Sequence, residues 1–156
     1  MMRSNHLIAV IAGASVAACN TSVQAAPFAI ACTGKARFSQ PAQGKSVERS
    51  YELPTQIYVF DEGTKRVQHA LIPRQQFEDV CFRGGYIDST IFTPGLISVR
   101  SERKGAMCDF KVDRASGKGE YASYNDLPSG GLSTIDFEMT CNRTDVPVFN
   151  PSKNKF

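Results

Sequence analysis

Residues Ile135-Asp136-Phe137-Glu138-Met139-Thr140-Cys141 alternate apolar and polar without a break. A period of two excludes a helix, in which apolar positions recur every three or four residues, and it defines a half-buried strand with Cys141 facing inward. Cys108-Asp109-Phe110-Lys111-Val112-Asp113 repeats the pattern, with Cys108, Phe110 and Val112 on one face, and meets a return strand near Glu120 to Tyr124 across Arg114-Ala115-Ser116-Gly117. Two further hairpins follow from turn chemistry. Gln56 to Phe60 runs through Asp61-Glu62-Gly63-Thr64 into Val67 to Ala70, and Thr90 to Thr93 meets Leu96 to Arg100 across Pro94-Gly95. With Ile30 to Phe38 and Val47 to Leu53 the expectation is all-β: about eight antiparallel strands in a meander that forms a small barrel or a sandwich. Only Pro73 to Val80 has the composition of a helical turn, and it is too short for an independent helix.

The amino terminus places the rest of the chain. Arg3, the apolar run Leu7 to Ala18 and the small residues of Val23-Gln24-Ala25 read as a secretory signal peptide over residues 1–25. Val16-Ala17-Ala18-Cys19 also fits a lipobox, in which cleavage would leave Cys19 lipidated and the protein anchored in the outer membrane. Soluble export to the periplasm or the medium is the preferred expectation, and the lipoprotein is its alternative. Twelve apolar residues fall short of the ~20 that span a bilayer. The expected organisation is a signal over 1–25, one domain over 26–141 and an extended carboxy-terminal tail over 142–156, anchored by Phe149.

Export makes Cys32, Cys81, Cys108 and Cys141 an even set in an oxidising compartment, which predicts two disulfides. Loop entropy does not choose between pairings, since the nested and the sequential sets are each worth about 8 kcal/mol. Cys32–Cys141 with Cys81–Cys108 is expected because first and last strands are often neighbours when a sheet closes. Spacings of 49, 27 and 33 residues lack the paired C-x-x-C geometry of a structural zinc site, so neither metal nor cofactor is expected.

Loss of the signal removes Arg3 and no acid, so the net charge falls from +3 to +2. The charges are interspersed, and no basic stripe of the kind that neutralises phosphates is present; nucleic acid is not an expected partner. The outward polar residues Asp109, Lys111, Asp136 and Glu138 argue against a membrane-embedded barrel. His69 is the one histidine left after the signal, which leaves triad chemistry a single base, and it is expected on a strand surface. Pairs drawn from Glu78, Asp79, Asp88 and Glu102 keep a carboxylate-dependent hydrolase open. Gly117-Lys118-Gly119 lies in a hairpin and reads as a turn, and Asn142-Arg143-Thr144 fits the N-glycosylation pattern. The glycine-bearing loops offer Arg83 with Tyr86, and Arg103 with Lys104, as partner-binding positions.

Ala31-Cys32-Thr33-Gly34, the hairpin of Ile57 to Val67, Val112-Asp113-Arg114 with Ser116-Gly117, and Met139-Thr140-Cys141 before a tail ending in Lys155-Phe156 resemble a loose group of small, uncharacterised envelope proteins of Gram-negative bacteria. The resemblance implies export and a compact β-domain, and no activity. The functional expectation is a non-catalytic binder of a protein or small ligand in the envelope. An inhibitor of a secreted hydrolase such as lysozyme, with Arg103-Lys104 as its plug, is the second class, and the hydrolase the third.

Overall fold

The structure is a computed structural model that describes residues 25–42, 45–81, 87–128 and 130–149. Cys19, Arg83 and Tyr86 lie outside them. Nine antiparallel strands follow in chain order: β1 (Phe28–Ala42), β2 (Lys45–Asp61), β3 (Arg66–Leu71), β4 (Gln76–Asp79), β5 (Ser89–Phe92), β6 (Leu96–Arg103), β7 (Ala106–Asp113), β8 (Lys118–Asp126) and β9 (Leu132–Thr144). They form one sheet, ordered β4-β3-β2-β1-β9-β8-β7-β6-β5 and curled into a half-barrel, which excludes the sandwich. Every neighbouring pair is a hairpin in sequence except β1 with β9, so the chain runs outward from the sheet centre through β1–β4, crosses to the opposite edge at β5 and returns inward to β9.

The expected turns form as read. At the β7–β8 turn the Asp113 carboxylate accepts hydrogen bonds from the Ala115 and Ser116 amides at 3.0 and 2.7 Å, and Gly117 supplies the left-handed φ of 69° that closes it. The Ser116 amide and hydroxyl hold the Asp113 carboxyl below the usual carboxylate range. Asp61 serves the β2–β3 turn in the same way, accepting from the Gly63 and Thr64 amides.

Two segments depart from expectation. Val47–Leu53 and Gln56–Phe60 are one strand, because the register shift between Cys32 and Gly34 sets Pro54 and Thr55 against Thr33 alone. A bulge asks no ladder donor of a proline, so Pro54 does not end β2. Across that bulge Gly34 lies so close to β9 that a Cβ there would collide with the Glu138 carbonyl oxygen. Pro73–Val80 is helical only at its start. A 3-10 turn, Ile72–Arg74, stops at Gln75 with φ 50°, and β4 then pairs with β3 through Gln68↔Asp79 to Leu71↔Gln76. The partner strand outweighs the weak helical preference of a short glutamine-rich stretch.

Register places Ile30, Cys32, Tyr58, Phe60, Val67, Ile97, Val99, Cys108, Phe110, Val112, Met139 and Cys141 on the concave face, where all are buried. Phe60 and Phe110 are fully buried, and Tyr58 lies 4.8 Å from the Phe110 ring, centroid to centroid. Both nested disulfides are present. Cys32 and Cys141 stand directly opposite each other on β1 and β9. Those two strands are neighbours as expected, but they occupy the middle of the sheet; the unpaired edges are β4 and β5. Val80 and Cys81, both buried, continue from β4 into the space between those edges, and Cys81–Cys108 ties that segment to β7.

β9 continues to Thr144, past the expected domain boundary at Cys141. Residues 145–149 then run without regular structure from the Thr144↔Ala29 pair to Phe149, whose ring lies 4.6 Å from Phe77 of β4. The convex face of β1, β2 and β3 along that course carries small or apolar residues, Ala29, Val59 and Ala70, and all three are buried. No described helix is long and apolar enough to cross a membrane.

Candidate functional site

The concave face is filled at one end by the aromatic core and opens beneath Val80 into a cleft of about 240 Å³. Four strands supply its walls. Gln56 and Tyr58 come from β2, His69 from β3, Tyr121 from β8 and Phe137 from β9, while Glu78, Asp79, Val80 and Cys81 form its rim. Register makes this assembly: Tyr58 stands opposite His69, and Tyr121 opposite Phe137. Each pair is stacked, with centroids 5.2 Å apart for Tyr58–His69 and 4.9 Å for Tyr121–Phe137. Offset stacking of this kind holds rings in a fixed attitude with little loss of exposed face.

His69 is therefore not on the outer surface of its strand. It shares the inward parity of Val67 and is half-buried against Tyr58. Burial lowers its pKa below the ordinary histidine value, and the Glu78 charge opposes the shift only in part. The imidazole is thus neutral at pH 7, able to donate from one nitrogen and accept at the other. The Tyr58 hydroxyl donates to the Met139 sulfur at 3.8 Å. Burial pushes the Tyr58 phenol well above the usual tyrosine range, with the Tyr121 phenol adding to the rise, so it stays protonated.

The direction of the His69 shift has a consequence for stability. A histidine whose pKa is lower folded than unfolded binds fewer protons in the native state, so its favourable contribution is complete above the unfolded value, near 6.5, and is lost as pH falls from there through the folded value. Ring-proton NMR of His69 should show a midpoint below that of a free histidine. Between pH 7 and 5 the wild type should lose more stability to urea than His69→Gln; equal losses would count against the buried neutral ring.

The carboxylates of the rim are already engaged. Arg66 grips Asp79 with both terminal oxygens in reach, at 2.8 and 2.9 Å from one guanidinium nitrogen, and Arg74 lies 3.8 Å from Glu78. Of the other acids considered, Asp88 accepts the Glu102 backbone amide and Glu102 pairs with Arg100 at 2.7 Å. Neither lines the cleft. Among the described residues no cluster of three His, Cys, Asp or Glu side chains could hold a metal ion.

Arg103 and Lys104 are exposed at the β6–β7 turn, whose Gly105 carbonyl accepts the Asp126 amide at 2.6 Å, and they do not border the cleft. Tyr121 and Phe137 were not singled out as site residues in the sequence, and the signal for them is parity alone: each falls in phase with a buried neighbour, Gly119 and Met139. No protein-family model, curated protein or solved structure matches the chain.

Proposed function

We propose that this chain is a non-catalytic, exported binding domain of the bacterial envelope, and that it receives a small uncharged ring-bearing ligand, free or displayed on a protein partner, in the cleft between Tyr58–His69 and Tyr121–Phe137. The observation that carries this reading is the pair of stacked rings facing one opening, with hydrogen-bonding groups of Gln56 and His69 between them. Ligand sites are concave, largely apolar and provided with a few fixed polar groups. The carboxylates of Asp79 and Glu78 are paired with Arg66 and Arg74, which favours ligand binding over acid–base hydrolysis, because a catalytic acid and base must be free to reach the substrate. Two buried disulfides and the signal-like amino terminus support the exported setting.

The test is NMR titration with N-acetylglucosamine, its β-linked dimer and phenol, following the ring protons of His69 and Tyr121. At least one probe should move both saturably, and Tyr121→Ala or Phe137→Ala should weaken that probe about tenfold, the equivalent of one lost aromatic contact. Three silent probes, or binding that both variants leave intact, would reject the cleft as the site.

A further inference from the structure

A second opening lies at the opposite end of the half-barrel. Phe28, Ile30, Phe60, Ile97 and Val112 form its floor and walls, and its volume is about 240 Å³. All but Phe28 are buried, and the Phe28 ring stacks on Phe60 with centroids 5.1 Å apart, so the apolar side of the pocket is fixed by the core itself, while Asp113, Arg114 and Arg143 supply its polar side. The mouths of β-barrels are a recurrent place for ligands, and this one is smaller than the 300–1,000 Å³ typical of drug-sized sites.

Two guanidinium groups overhang the mouth. Arg114 lies 5.4 Å and Arg143 5.5 Å from the centroid of Phe28. Their roles differ. Arg114 is a clamp between turns: it pairs with Glu62 at 2.8 Å and donates to the Thr93 carbonyl at 3.0 Å. Asp113, the acid at this rim, is occupied by the Ala115 and Ser116 amides of its own turn. Arg143 is exposed, and among the described residues no carboxylate lies within ion-pair distance of it. It rests on an aromatic ring at the lip of an apolar pocket, which keeps its hydrogen-bonding fork available.

We propose that this end pocket binds a short single-chain carboxylate, with the hydrocarbon against Phe28, Ile30, Phe60, Ile97 and Val112 and the carboxylate paired with Arg143. The apolar lining selects for chain and the guanidinium for a planar anion, which it can meet with two parallel hydrogen bonds. The site shares no residue with the cleft described above, and its occupancy does not depend on that reading.

Octanoate, octan-1-ol and octylammonium differ only in the head group, so they separate the two halves of the recognition. Calorimetric titration of the oxidised protein at low salt should show saturable binding of octanoate, about tenfold weaker binding of octan-1-ol and none of octylammonium, since a charge-assisted hydrogen bond is worth about 1.5–3 kcal/mol. Arg143→Glu should cost octanoate at least tenfold and leave octan-1-ol unchanged, whereas Arg143→Lys, which keeps the charge and loses the planar fork, should give an intermediate loss. Arg143 is exposed, so these variants should fold, and unchanged thermal midpoints will establish it. Failure of octanoate to bind, equal binding of octanoate and octan-1-ol, or an Arg143→Glu protein that still takes octanoate would each overturn the proposal.

Discussion

Phe110→Ala should destabilise the domain by about 3–5 kcal/mol, the cost of a deleted core aromatic and the cavity it leaves. Phe110 is fully buried, touches Tyr58 at 4.8 Å and Phe60 at 6.4 Å between centroids, and stands opposite both Val99 and Tyr121 in the ladder. It is the ring through which β2, on one side of the curl, meets β7 on the other. The thermal midpoint should drop by roughly 10–20 °C and the urea midpoint should fall with little change in slope. Phe77→Ala is the matched control. That ring is 36% exposed and packs on the tail residue Phe149, so its loss should cost about 1 kcal/mol. Comparable losses for the two variants would mean that the concave aromatic cluster is not the core. Phe110→Ala should also shift the ring signals of Tyr58 and His69, because the wall of the cleft leans on the side chain removed.

The strand faces were legible because they depend only on parity. Cys108, Phe110 and Val112 are buried together, as are Met139 and Cys141, and the turns at 61–64, 94–95 and 114–117 carry residues that set their own local geometry. Pro54 was misleading for a physical reason: whether a proline interrupts a strand depends on the partner's register, and the bulge opposite Thr33 is invisible from either strand alone. β4 was obscured likewise, since Gln76–Asp79 has little strand preference and exists as a strand through pairing with β3.

The cleft was beyond reach as an assembly. Tyr58, His69, Tyr121 and Phe137 are drawn together by two ladders and the curl of the sheet between them, none of which spacing along the chain encodes. The Val67–His69 parity did contain the inward orientation of the histidine. Polarity alone suggests a surface position, and the cleft is what lets a polar ring face inward. Ala70 shows the converse, an outward residue buried on the face along which residues 145–149 run.

The two disulfides should fail in different ways when removed. Loop entropy alone assigns about 5 kcal/mol to Cys32–Cys141, whose sequence separation is 109, and about 3.6 kcal/mol to Cys81–Cys108, whose separation is 27. Cys32→Ala with Cys141→Ala should therefore give the larger drop in global stability. The native fold itself should change little, because β1 and β9 remain joined by a ladder running from Ala29↔Thr144 to Ser39↔Thr134. Cys81→Ala with Cys108→Ala should cost less globally and more locally. Nothing in the sheet joins β4 to β5, and among the described residues the Val80–Cys81 segment between them is tied by the disulfide, by a backbone hydrogen bond from Val80 to Val67 and by its packing in the core. Hydrogen exchange should accordingly speed up in β4 and β5 of the second variant, while β1 and β9 stay protected, since local opening follows where few bonds cross. The cleft should loosen with that segment, as Val80 and Cys81 are part of its rim. Uniform acceleration across all nine strands would show instead that both staples act only on the unfolded chain, and that the seam is closed by packing.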